Sequence, residues 1–109
     1  MAYVYLAIAI VSEVIGTLAL KASNGFANLQ YSALAFVGYA IAFYFLTQVM
    51  RTVPVGVTYA IWSGAGVALV AILGLVLFGQ KLDAAALLGI GLIVAGVLVL
   101  NLFSNSIPN

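Results

Sequence analysis

Apolar residues run through this chain in four long stretches, each ended by a short polar cluster. A bilayer hydrocarbon core about 30 Å thick is crossed by roughly 20 apolar residues in a helix. The pattern therefore predicts membrane-spanning helices near residues 3–20, 31–50, 56–79 and 84–103. The breaks are Lys21 to Gln30, with Asn24-Gly25 as a turn signal, then Arg51 to Pro54, then Gln80 to Asp83. All three are short, so successive helices should be antiparallel neighbours in a single four-helix, all-α membrane domain over residues 1–109. Asp83 immediately precedes the fourth stretch and is expected to cap it. Its charge, beside Lys81, should form a solvated pair of little energetic weight.

Composition sharpens this picture. The chain is 67% hydrophobic and 5% charged, far from a soluble globular domain. Its only basic residues are Lys21, Arg51 and Lys81, for a net charge of +1. That excludes an electrostatic nucleic-acid binder, which needs several clustered cations. The absence of Cys and His excludes disulfides, S-acylation and the usual soft or imidazole metal ligands, so neither a metal nor a cofactor is expected. The first twenty residues lack a basic leader and carry an acid where a secretory signal is uninterrupted, so they are expected to remain as a helix. An even number of spans puts both termini and the Arg51 loop on one side, with the Lys21 and Lys81 loops on the other. Orientation follows an excess of Lys and Arg in cytoplasmic loops. One cation against two is a weak instruction, and it predicts insertion in both orientations, which would permit an antiparallel dimer.

Glu13 is the one charge inside the first apolar run, and Asp83 is the only other acid. An ionised side chain at a helix centre in hydrocarbon costs about 2.5–3.5 kcal/mol, so an intramembrane acid marks a functional site. Helical spacing puts Ala9, Ile10, Gly16 and Thr17 on the Glu13 face, where small neighbours leave room beside the carboxylate. In the third stretch Tyr59, Trp62, Ser63 and Gly66 share a face, offering two aromatic rings and a hydroxyl. Aromatic faces attract organic cations by about 0.5–2 kcal/mol. Gly64 and Gly66 would weaken that helix and serve as a hinge. Tyr39 and Phe43 of the second stretch are candidate wall residues, with Phe36 assigned to packing. In the fourth stretch Gly89, Leu92, Ile93, Gly96 and Val97 form one stripe without a polar side chain, suited to helix association.

Together these residues resemble the small multidrug resistance family of bacterial inner-membrane exporters. The resemblance rests on Glu13-Val14-Ile15-Gly16-Thr17, on Tyr59-Ala60-Ile61-Trp62-Ser63-Gly64, on the loop Gly79-Gln80-Lys81-Leu82-Asp83 and on the stripe from Gly89 to Val97. Of the family's two transporter branches, the chain looks like the one exporting quaternary ammonium and polyaromatic cations. The guanidinium branch typically has a Trp where this chain has Gly16. The resemblance implies an antiparallel homodimer with both Glu13 side chains in one chamber, walled by Tyr59 and Trp62, and with fourth-helix contacts joining the protomers. Two departures stand out: Asn24 and Asn28 replace the charged residues common in the first loop, and Ser12 replaces a small apolar residue beside Glu13.

From these residues the expected activity is proton-coupled antiport, with Glu13 alternately holding a proton or a lipophilic cation. The alternatives are a guanidinium exporter of the same fold, a proton-carrying rotor subunit, and a non-transporting membrane interaction subunit. Rotor subunits usually have two spans with the acid in the second, against four spans with the acid in the first here.

Overall fold

The computed structural model describes residues 1–104. Four helices account for nearly all of them: α1 (Ala2–Ala22), α2 (Leu29–Val49), α3 (Val55–Phe78) and α4 (Ala84–Phe103). Each is long and apolar enough to cross a membrane. The helix ends follow from local chemistry. Asn28 caps α2, its Oδ1 accepting from the backbone N–H groups of Gln30 (3.1 Å) and Tyr31 (3.3 Å). This gives a structural use to one of the two asparagines that depart from the family pattern. Pro54 stands at the N-terminus of α3, where a missing N–H costs nothing. Gly79 ends α3 in the left-handed conformation at φ 66°, and Asp83 caps α4 by accepting from the Ala86 N–H at 2.8 Å.

The turn between α1 and α2 is tightly built. Ser23 is fully buried, donates to the Leu20 carbonyl at 2.7 Å and accepts from the Phe26 N–H at 3.2 Å. Asn24, Gly25 and Phe26 all have positive φ (53°, 67° and 69°), and the Phe26 ring stacks on Phe36 with centroids 6.1 Å apart. The helices that follow lie very close. A Cβ on Gly38 would come within 2.8 Å of the Ser12 carbonyl oxygen and 3.0 Å of the Gly16 Cα, so glycine is what permits the backbones to meet there.

Contacts run from α2 to α1, from α1 to α3 and from α3 to α4, which lays the helices side by side in the order α2, α1, α3, α4. The layer measures 44 × 34 × 17 Å. The apolar core, Leu6, Ala9, Leu46, Val49, Val53 and Ile61, sits at the end where α1 begins and α2 hands over to α3. Helix α4 has no buried residue at all.

Candidate functional site

About one turn beyond the core along α1, Glu13 turns its carboxylate toward α3. Thr17, one turn further, donates from Oγ1 to Glu13 Oε1 at 2.9 Å, and Tyr39 of α2 lies 2.7 Å from the same Thr17 oxygen. A hydroxyl carries a single proton. With the Thr17 proton directed at Glu13, the Tyr39 hydroxyl must donate to Thr17. The result is a directed chain, Tyr39 to Thr17 to Glu13, that ties the acid to α2 through a residue of its own helix.

The second carboxylate oxygen has different surroundings. Glu13 Oε2 is buried and has no hydrogen-bond partner among the described residues. It lies against Gly66 of α3, where an added Cβ would fall 2.8 Å from it. Beside it opens a cavity of about 340 Å³, formed by Glu13 and Thr17 from α1 and by Tyr59, Trp62, Ser63 and Gly66 from α3, with Val67 and Val70 below. This is at the small end of the range for small-molecule sites. The rings of Tyr59 and Trp62 stand with centroids 5.8 Å apart, tilted by 37°. Phe43 of α2 lies 5.9 Å from Trp62, and Tyr39 lies 6.4 Å from Phe43. Four rings thus form a continuous strip from the hydroxyl chain to the cavity wall.

A larger hollow of about 480 Å³ lies at the helix ends among Tyr3, Tyr5, Gln48, Arg51 and Thr52. Its one charged side chain is a cation, and it holds no acid to attract a positive ligand. The smaller cavity, with the buried carboxylate, is the chemically competent one. Among the described residues no cluster of His, Cys, Asp or Glu could hold a metal ion.

The structure brings Glu13, Thr17, Tyr59, Trp62, Ser63 and Gly66 to the cavity and puts the other candidates elsewhere. Ala9 and Ile10 belong to the apolar core or pack on it. Gly16 faces α2, with the Ala35 carbonyl and the Tyr39 ring against it. Tyr39 and Phe43 stand behind the site as supports for Thr17 and Trp62. Helix α3 runs unbroken through Gly64 and Gly66. In this conformation both glycines serve close packing: Gly66 makes room for the carboxylate, while Gly64 receives Val97 and Ile93 of α4. Val97 and Ile93 thereby join α4 to its own chain, whereas Gly89 and Gly96 have nothing within 4 Å of a Cβ position and Leu92 is exposed. Gly38, unmarked in the sequence, turns out to set the α1–α2 distance. A glycine four residues before Ala42 in an apolar run carries little signal of its own.

Comparisons with known proteins place the chain among named relatives. The family model described as Small Multidrug Resistance protein matches residues 1–93. The chain is 55% identical over 104 residues to the Quaternary ammonium compound-resistance protein QacE of Escherichia coli, covering 95% of this chain and 94% of that one. It is 53% identical over 97 residues to a Putative ethidium bromide resistance protein of Salmonella typhimurium, with 89% and 84% covered. It is 46% identical over 107 residues to the Multidrug transporter EmrE of Escherichia coli K12, with 98% and 97% covered. With four helices fit to span a bilayer and a match over most of its length, this multi-pass membrane protein belongs to the small multidrug resistance family.

Proposed function

We propose that the protein is a proton-coupled antiporter of the bacterial inner membrane that exports lipophilic quaternary ammonium and aromatic cations, working as an antiparallel homodimer. The observation that carries this reading is the Glu13 carboxylate, held at one oxygen and buried without a partner at the other, beside a cavity walled by Tyr59 and Trp62. A carboxylate removed from water needs a compensating group. A proton can serve, and so can an organic cation stacked on the two rings. They compete for one acid, so each lowers the affinity of the other by the same factor. Relatives named for resistance to quaternary ammonium compounds and to ethidium bromide fit a ligand that is cationic and apolar or aromatic.

Shape supports the dimer. The cavity beside Glu13 is lined by α1 and α3 and is partly open rather than enclosed. A second copy laid over that opening would close the chamber and supply a second Glu13. The near-symmetric loop charges support insertion of the copies in opposite senses. With no fully buried residue, α4 offers the surface through which copies would join. Alternate opening of the loaded dimer to the two sides then lets the proton gradient drive cation efflux.

Uptake of a quaternary ammonium dye into inverted vesicles under a pH gradient tests the reading. Glu13→Gln should abolish uptake, while Asp83→Asn, which keeps a capping oxygen, should leave it largely intact. Normal gradient-driven uptake by the Gln variant would refute it.

A further inference from the structure

Besides Glu13 Oε2, two side-chain polar atoms are buried without a hydrogen-bond partner among the described residues: Thr58 Oγ1 and Trp62 Nε1. Both belong to α3 and are four residues apart, so their Cβ atoms are neighbours on one face at about 6 Å. A long side chain on a helix leans over the turn that precedes it, which carries the indole of Trp62 toward the turn of Thr58. A helical threonine commonly donates to the carbonyl four residues back. Here the Pro54 carbonyl accepts only the Thr58 backbone N–H, at 2.9 Å, and the fully buried hydroxyl stays unused. The two orphans are complementary, because an indole nitrogen can only donate and a hydroxyl can also accept. Leaving both unpaired out of water is costly, so a small rotation that joins them is favoured once the packing around the ring changes.

That ring is a wall of the cavity. Trp62 lies between Phe43 at 5.9 Å and Tyr59 at 5.8 Å, tilted to both, and lines the cavity, so a planar or bulky guest there would press on the ring and change its packing. We propose that Thr58 is a positioning residue for the cation site: when a cation fills the cavity and stacks on Trp62, the indole N–H turns to donate to Thr58 Oγ1, and this bond holds the ring in its cation-binding orientation. The inference rests on the cation-binding reading of the Glu13 cavity. It adds a differential contact: the indole N–H and the Thr58 hydroxyl are unpaired in the empty site and joined in the filled one, so the guest favours the turned ring.

Trp62 is the only tryptophan of the chain, so its indole N–H gives a resonance free of overlap from other tryptophans. Full-length protein in lipid nanodiscs is titrated with tetraphenylphosphonium while that resonance, the dissociation constant and proton release are followed. In the wild type the indole proton should move downfield on binding and become slow to exchange with solvent. Thr58→Val, isosteric but without an acceptor, should remove the downfield shift and weaken binding about fivefold to tenfold, the effect of one neutral hydrogen bond. Thr58→Ser should restore both, and protons should still be released on binding to Thr58→Val because Glu13 is untouched. An unchanged shift and an unchanged affinity in Thr58→Val would overturn the positioning role alone. Failure of the wild type to bind the cation or release protons would overturn the cation-site reading itself.

Discussion

The seam between α1 and α2 and the surface of α4 are built from the same small and aliphatic residues, yet they behave oppositely. At the seam, Gly38 is so close to Ser12 and Gly16 that a single methyl group would collide with backbone. On α4, Gly89, Gly91 and Gly96 face open space and no residue is buried. A glycine-rich stripe is therefore not one kind of feature. Along α1 and α2 it completes a hairpin within the chain, and along α4 it makes no such contact within the described protomer. The charged and hydrogen-bonding residues follow the same division: the Tyr39, Thr17 and Glu13 chain spans the closed seam, whereas α4 carries no polar side chain until Asn101, which bonds back to the Val97 carbonyl at 3.1 Å.

The sharpest way to break this contrast is to put the same bulk on both sides of it. Gly38→Leu should separate α1 from α2 and destabilise the protein by about 3 kcal/mol, the upper part of the overpacking range, seen as lost dye binding and early unfolding in mild detergent. Gly96→Leu should leave the protomer within about 0.5 kcal/mol of wild type, as surface substitutions do. Its effect should appear instead in cross-linking yield, which falls if copies meet through α4. Equal destabilisation by the two variants would erase the distinction between seam and surface.

A smaller effect is expected at the site. The Cβ of Gly66→Ala would meet the end of a flexible side chain rather than backbone, so the fold should persist while the carboxylate is displaced. Cation uptake should drop about tenfold, equivalent to about 1.4 kcal/mol, with the helix content unchanged by circular dichroism. Retained uptake would mean that the position of Oε2 is unimportant. The smallest test concerns the helix ends. Asn28→Ala and Asp83→Ala each remove an N-cap and should cost about 1 kcal/mol. Since Asn28 serves the closed hairpin and Asp83 the loosely held α4, the first loss should lower thermal stability of binding and the second should barely move it.

How far the sequence reveals this molecule depends on what makes each feature. The spans are legible because hydropathy and helix length are both set by the bilayer, and Glu13 is legible because its burial is costly. Tyr59, Trp62 and Ser63 share a cavity because helical spacing already places them on one face. The same spacing misleads for Ala9 and Gly16. In a helix apolar all round, polarity does not say which side meets which neighbour, so residues adjacent to Glu13 on α1 can face the core or α2. Gly38 is invisible for a related reason, since its role is to leave space for the Ser12 carbonyl, and Gly64, marked as a hinge, gives no sign in the sequence that it leaves space for Val97. Asn28 reads as a missing charge until the backbone shows two N–H groups converging on it.

The unequal treatment of the two oxygens of Glu13 has one more consequence. With Oε1 moored to Thr17, the carboxylate is held in place while Oε2 stays unengaged, much as a boat tied up on one side leaves the other free. The mooring line runs to Tyr39 on α2, and the berth is cut into α3 at Gly66. Any sliding of α3 past α1 would then widen or close the berth while the mooring stays fast. Movement between those two helices would thus change the space at Oε2 directly.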